Sequence, residues 1–86
     1  MPTLDMPRKT KLYPDAPELA QLGAAIRRAR KSAGIAQEAL AHAAEIERSY
    51  FGAIERGEVN LTFMNLVKVS RELKISVAEL LGDARL

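Results

Sequence analysis

Signals that begin or end an α-helix recur so closely along this sequence that no helix can be long. Gly34, Gly57 and Gly82 stand where a helix would end in a left-handed conformation. Thr62 and Ser76 stand where a helix would begin, as caps. Between these signals the apolar residues recur every three or four positions, and no useful segment alternates as a β-strand does. The sequence therefore predicts an all-α fold of five short helices packed as a bundle.

The bounds of the five helices follow from the same signals. Asp15 is expected to cap the first helix, with Pro17 just inside it. Phe63 is expected among the inward-facing residues of the fourth helix. The predicted helices span about 17–33, 37–44, 47–56 and 63–73, and a fifth begins after Ser76 and ends at Gly82.

Length and composition exclude several classes of function. The 86 residues allow one small domain with little room for an internal substrate cavity. The chain has no cysteine and a single histidine, His42, so no metal or other cofactor and no small-molecule ligand are expected. No apolar run could cross a bilayer and no secretory signal is visible, which favours a cytoplasmic protein without a membrane partner. Because no catalytic constellation can be assembled, we do not expect an enzyme.

The basic residues of the chain are concentrated in a few segments, although the net charge is small. Residues 1–14 contain three prolines, three basic residues and no apolar period, which predicts a flexible basic arm before a compact domain at 15–86. The arm either follows a DNA groove or is a mobile tail. The net charge of +2 is mild, yet four of the five residues at 27–31 are basic. One part of the surface is therefore predicted to be cationic.

The second and third predicted helices are joined by only a few residues. So short a link cannot return the chain as an antiparallel neighbour and forces a steep crossing, which is the geometry of a helix-turn-helix unit. The small residue Ala41 falls where the two helices would touch. Phe51 and Ile54 are expected to face inward. The outer face is then formed by mostly small residues, namely Arg48, Ser49, Gly52 and Ala53.

Four segments connect this chain to a known family. They are Ile26–Arg30, Gln37–Ala41, Ile54–Gly57 and Leu73–Leu81. Together they resemble the repressor/Cro-like helix-turn-helix family, and Arg48–Gly57 looks most like the controller proteins of restriction–modification systems. The resemblance implies a lambda-repressor-like domain that regulates transcription by binding double-stranded DNA, with its third helix in the major groove.

The resemblance also implies where DNA is bound. Gln37 is expected to bind a phosphate at the start of the second helix, the alternative being a solvated side chain. Arg48 is expected to read guanine, or else to contact a phosphate or a nearby glutamate. Tyr50 either contacts DNA through its hydroxyl or packs against the turn. The complete expected set is Gln37, Glu47, Arg48, Ser49, Tyr50, Gly52, Ala53, Arg56 and Asn60.

Other positions are predicted to support the fold or depart from the family pattern. The resemblance implies a partly buried ion pair between Arg30 and Glu55 that braces the first helix against the third. Ala36 replaces the usual cap of the second helix. Glu45 and Lys74 replace usual turn glycines, so either these residues are left-handed or the turns differ.

One such unit contacts too few base pairs to define a unique genomic site. We therefore expect a homodimer on a palindromic operator, controlled by its own concentration, with autoregulation of its gene as a further hypothesis. The alternative is an antitoxin-type module that neutralises a partner enzyme and binds DNA secondarily, and a purely structural adaptor is a third hypothesis. The dimer interface is expected on the last two helices, at Met64, Val69, Val77 and Leu81.

Overall fold

A computed structural model describes residues 16–86, and the predicted arm at 1–14 and Asp15 lie outside this range. Within it the chain forms five α-helices and no strand. The all-α prediction is confirmed, and the predicted bounds agree with the observed ones to within one or two residues. The helices are α1 Pro17–Ser32, α2 Gln37–Ala43, α3 Arg48–Glu55, α4 Phe63–Leu73 and α5 Val77–Asp83.

The beginnings of the helices largely follow the predicted caps. The Oγ1 atom of Thr62 accepts the backbone N–H of Asn65 at 3.0 Å, and Ser76 caps α5 in the same way. Ala36 begins α2 without a side-chain hydrogen bond, as its methyl group dictates. The cap of α1 was predicted wrongly, because Pro17 occupies the first helical position and the cap is Ala16.

The turns contain residues that are not glycine in the left-handed region. Glu45 has φ 58° and Lys74 has φ 60°, so both sites keep a glycine-like backbone without a glycine. Gly34 ends α1 with φ 72°, as predicted. The prediction that Gly82 ends α5 is wrong, and the left-handed residue there is Arg85.

The extra length of α5 has a visible cause in α1. Arg28 Nη2 donates to the carbonyl oxygen of Asp83 and Gln21 Nε2 donates to that of Ala84, each at 3.0 Å. These donors satisfy carbonyl groups that a helix end leaves without intrahelical partners. The helix therefore continues past Gly82 to the point where α1 supplies hydrogen bonds.

All five helices contribute residues to the core, and α3 packs against both α1 and α2. A Cβ atom at Gly23 of α1 would collide with the carbonyl oxygens of Ile54 and Glu55, so the backbones of α1 and α3 are in direct contact. This contact fixes the position of α3 relative to the rest of the bundle. The largest fully buried side chains are those of Phe51, Ile26, Leu40, Ile54, Leu80 and Val69.

Two predictions about α4 are wrong. Val69 is completely buried, because it lies three and four residues from the buried Leu66 and Leu73 and shares their face. It cannot contribute to a dimer surface. Phe63 was expected to face inward but is 67% exposed, since it is the first residue of α4 and lies beyond the edge of the core.

Candidate nucleic-acid interface

The turn between α2 and α3 sets the direction of α3. The N–H of Ile46 donates to the carbonyl oxygen of Ala41 at 2.9 Å, and the left-handed Glu45 lies between them. Ala41 is buried where the two helices cross, as the sequence predicted. The two helices therefore form a compact angular unit, with one face of α3 turned outward.

The carboxylate of Glu47 caps α3. One oxygen accepts the N–H of Ser49 at 3.1 Å and the other accepts that of Tyr50 at 3.0 Å. These hydrogen bonds to the charged form lower the pKa of Glu47 below its ordinary value of 4.5. The sequence analysis listed Glu47 as a DNA contact and missed its role as a cap, because glutamate is not among the residues preferred at this position.

The outward face of α3 is a polar recess about 270 Å³ in volume, closed on one side by the start of α2. Arg48, Gly52 and Arg56 are four residues apart and so form one ridge of the helix. Ser49 lies beside this ridge and is exposed. The residues that line the recess are Gln37, Arg48, Ser49, Gly52 and Arg56.

Beneath this surface a hydrogen-bonded network joins three helices. Arg30 Nε contacts Glu55 Oε2 at 2.7 Å, and Arg30 Nη2 contacts Glu55 Oε1 at 3.2 Å. Arg30 Nη1 also donates to the carbonyl oxygen of Ile35 at 2.9 Å. Both charged residues are buried, at 8% and 7% exposure. The predicted ion pair is therefore present, and it braces α1 against the end of α3.

Gln37 belongs to the same network. Its Nε2 atom donates to Glu55 Oε1 at 2.9 Å, a contact that the sequence analysis did not foresee. An amide nitrogen carries two N–H groups, so this bond leaves one donor for a ligand. The buried ion pair thus orients a side chain that also lines the recess.

Comparison with known protein families agrees with this geometry. The sequence model of the Helix-turn-helix family matches residues 26–80. The chain belongs to the helix-turn-helix family. The control protein C.MunI of Mycoplasma sp is 33% identical over 54 residues, which are 63% of this chain and 73% of that protein.

Solved structures of other helix-turn-helix proteins are also similar. The restriction-modification controller protein C.AhdI from Aeromonas hydrophila has a TM-score of 0.72 at 36% identity, covering 73% of this chain and 96% of that one. The clp gene regulator ClgR from Corynebacterium glutamicum has a TM-score of 0.77 at 32% identity, covering 79% of this chain and 72% of that one. These matches confirm the prediction of a repressor/Cro-like helix-turn-helix regulator with a likeness to controller proteins.

The predicted interface of this helix-turn-helix protein divides into exposed and buried residues. Gly52 was predicted to face outward but is buried, because the side chains of Arg56 and Gln37 lie over it. Ala53 is completely buried, so its prediction as an outward-facing contact is wrong. The reason is that α1 and α2 both pack on α3 and extend its buried face further round the helix. Tyr50 is 9% exposed, and burial raises the pKa of its phenol, so of its two expected roles the packed one fits the structure.

Other predicted polar and basic residues lie at the end of α3, in the loop after it and on α1. Arg56 pairs with Glu58 through Nε and Oε2 at 3.1 Å, and Asn60 is exposed in the following loop. In the basic cluster at 27–31, Arg30 is buried, whereas Arg27, Arg28 and Lys31 are exposed as the predicted cationic surface requires. Arg28 also binds the end of α5. Across residues 16–86 no helix has the length and apolar character needed to cross a membrane.

Proposed function

We propose that this regulator binds double-stranded DNA with the outer face of α3, which enters the major groove. The observation that carries the proposal is the polar recess, where two arginines, a serine and Gln37 converge on an exposed face. Guanidinium groups match both phosphate oxygens and the O6 and N7 atoms of guanine. Arg48 lies in the first turn of α3 and is the residue that we assign to base reading, with Ser49 beside it.

Phosphate contacts are assigned to the residues around this reading surface. Gln37 has an amide N–H available beside the recess, and the Arg56 guanidinium lies on the same side of it, over Gly52. Asn60 is exposed in the loop between α3 and α4. Such contacts set the position and affinity of a protein on DNA without selecting sequence. Glu47 has both carboxylate oxygens engaged by its own helix, so we assign it to the cap and not to DNA.

We further propose that the protein acts as a homodimer on a palindromic operator. Met64 is 55% exposed, and Val77 and Leu81 are half-buried on the neighbouring α5. A second copy could cover this apolar surface, together with Phe63, and would bring two recognition helices to about 34 Å from each other. Sedimentation equilibrium tests the interface, since Leu81→Glu is expected to convert a dimer into a monomer at micromolar concentration.

Selection of duplexes from a pool with a randomised centre tests the DNA-binding proposal. The wild-type protein is expected to enrich a two-fold symmetric sequence and to bind it with strong dependence on salt. Arg48→Glu is expected to abolish enrichment. Arg71→Glu makes the same change of charge in the last turn of α4, outside the recess, and is the matched control.

The outcome of that selection also separates the alternative functions. Failure of the wild-type protein to prefer any duplex, together with co-purification of an enzyme encoded nearby, would replace this proposal by the antitoxin function. Enrichment of a site upstream of its own reading frame would support autoregulation, in which the concentration of the dimer sets operator occupancy.

A further inference from the structure

Gly52 stands at the centre of the outer ridge of α3, between Arg48 and Arg56. A Cβ atom built at this position would lie 3.1 Å from Arg56 Nη1 and 3.6 Å from Gln37 Oε1. The guanidinium of Arg56 therefore extends back along the helix over the bare backbone of Gly52. It ends beside the amide of Gln37, which belongs to a different helix.

Neither the backbone conformation nor the packing of backbones accounts for a glycine here. Gly52 has helical dihedral angles, and glycine in a helix interior is less stable than alanine. At Gly23, by contrast, a Cβ atom would collide with the backbone of α3. The three atoms nearest a Cβ at Gly52 all belong to the side chains of Arg56 and Gln37. The space that a side chain at position 52 would occupy is therefore bordered most closely by the side chains of Arg56 and Gln37.

The guanidinium of Arg56 also contacts Glu58, in an ion pair that is exposed to solvent. Its Nε atom contacts the Glu58 carboxylate at 3.1 Å, which leaves the terminal nitrogens over Gly52. Helical side chains point towards the N-terminus of their helix, so this orientation carries the cation from the last turn of α3 towards its reading end. Gln37 is held in place by Glu55 from below. The guanidinium of Arg56 and the amide of Gln37 consequently converge on one side of the recess, where Oε1 and Nε2 of Gln37 lie 3.6 and 3.8 Å from the Cβ position of Gly52.

We propose that Gln37 and Arg56 together bind one DNA phosphate, and that Gly52 is the positioning residue that allows them to converge. This inference rests on the DNA-binding function proposed above. A phosphate oxygen accepts hydrogen bonds from an amide N–H and from a guanidinium, and a cation that neutralises a phosphate adds to the salt dependence of binding. A methyl group at position 52 would lie 3.1 Å from Arg56 Nη1, so the guanidinium must shift by a few tenths of an ångström.

The test is Gly52→Ala, studied with a labelled duplex selected by the wild-type protein and with an unrelated duplex of the same length. Dissociation constants are expected to rise by about threefold for both duplexes, and the slope of log K against log salt to become shallower, because the guanidinium is shifted relative to the phosphate. The melting temperature is expected to rise, since alanine favours the helix more than glycine does. If Gly52 had only a structural role, Gly52→Ala would not combine weaker DNA binding with a higher melting temperature.

Two further variants complete the design. Gly82→Ala is the matched control, because it adds the same methyl group to a helical glycine with no atom within 4 Å of the new Cβ. It is expected to leave binding unchanged. In the Arg56→Ala background, Gly52→Ala is expected to have no further effect on affinity. An equal loss in both backgrounds would mean that the methyl group obstructs the DNA directly, and it would overturn the proposal.

The failure of this inference is distinguishable from failure of the proposed function. Wild-type binding that Gly52→Ala leaves unchanged would refute the joint phosphate site and leave DNA binding intact. A wild-type protein that binds neither duplex would refute both.

Discussion

Removal of Arg30 should cost far more stability than removal of the whole ion pair to which it belongs. Arg30→Ala deletes the two contacts to Glu55, at 2.7 and 3.2 Å, and the one to the Ile35 carbonyl oxygen. Glu55 would then remain buried as a carboxylate with Gln37 as its hydrogen-bonding partner. Breaking a buried ion pair on one side costs about 3–5 kcal/mol. Since a small domain has about 5–15 kcal/mol of stability in total, this variant should be close to unfolding.

The double variant Arg30→Met with Glu55→Met provides the comparison. It removes both charges and fills the space with apolar atoms, so the free energy of unfolding should fall much less than in Arg30→Ala or should not fall at all. Urea denaturation followed by circular dichroism measures both values. A cost below about 1 kcal/mol for Arg30→Ala would show that Glu55 is not stranded and would refute the reasoning.

The same double variant separates stability from function. Its fold should be retained, but Gln37 loses the carboxylate that orients its amide. Affinity for the selected duplex should therefore fall although the protein remains folded. Wild-type affinity in a folded double variant would mean that Gln37 needs no orientation from Glu55.

Three further predictions follow from individual residues. Glu45→Gly and Lys74→Gly should each raise the free energy of unfolding by about 0.5–1 kcal/mol, because both residues have positive φ, and a decrease in urea titrations would contradict this. Because the pKa of Glu47 is lower in the folded protein than its ordinary value, its contribution to stability is present above 4.5 and is lost as the pH falls through the folded-state pKa. Glu47→Gln should lack this acid dependence in thermal melts at a series of pH values. Arg48→Ala should lose about 1–3 kcal/mol of discrimination at one base pair, measured with single-substituted duplexes, and uniform weakening at all sites would assign Arg48 to the phosphate backbone.

The sequence predicted best what depends on near neighbours along the chain. The caps Thr62 and Ser76 and the terminating Gly34 act within one helical turn, so the helix bounds could be read without knowledge of the packing. The ion pair of Arg30 and Glu55 was available only through the resemblance to a family, because those residues are far apart in sequence.

The wrong predictions concern features that depend on which helices meet. Ala53 is predicted to face outward from the positions of Phe51 and Ile54, but it is buried because both α1 and α2 pack on α3. Val69 is predicted to be exposed because the core is expected to hold fewer apolar side chains than it does. The end of α5 moved past Gly82 because Arg28 and Gln21 of a distant helix supply donors to its last carbonyl groups. Periodicity along one helix contains no information about such partners.

The contact between α1 and α3 at Gly23 limits how the position of the DNA-binding face of α3 can change. Because a single methyl group there would meet the carbonyl oxygens of Ile54 and Glu55, any replacement must push α3 bodily away from α1. In a two-fold dimer that displacement occurs twice, in opposite senses, and alters the half-site spacing that the pair can span. Exposed residues such as Ser49 can therefore be replaced to recognise new DNA sequences. The α1–α3 contact at Gly23 cannot change in the same way.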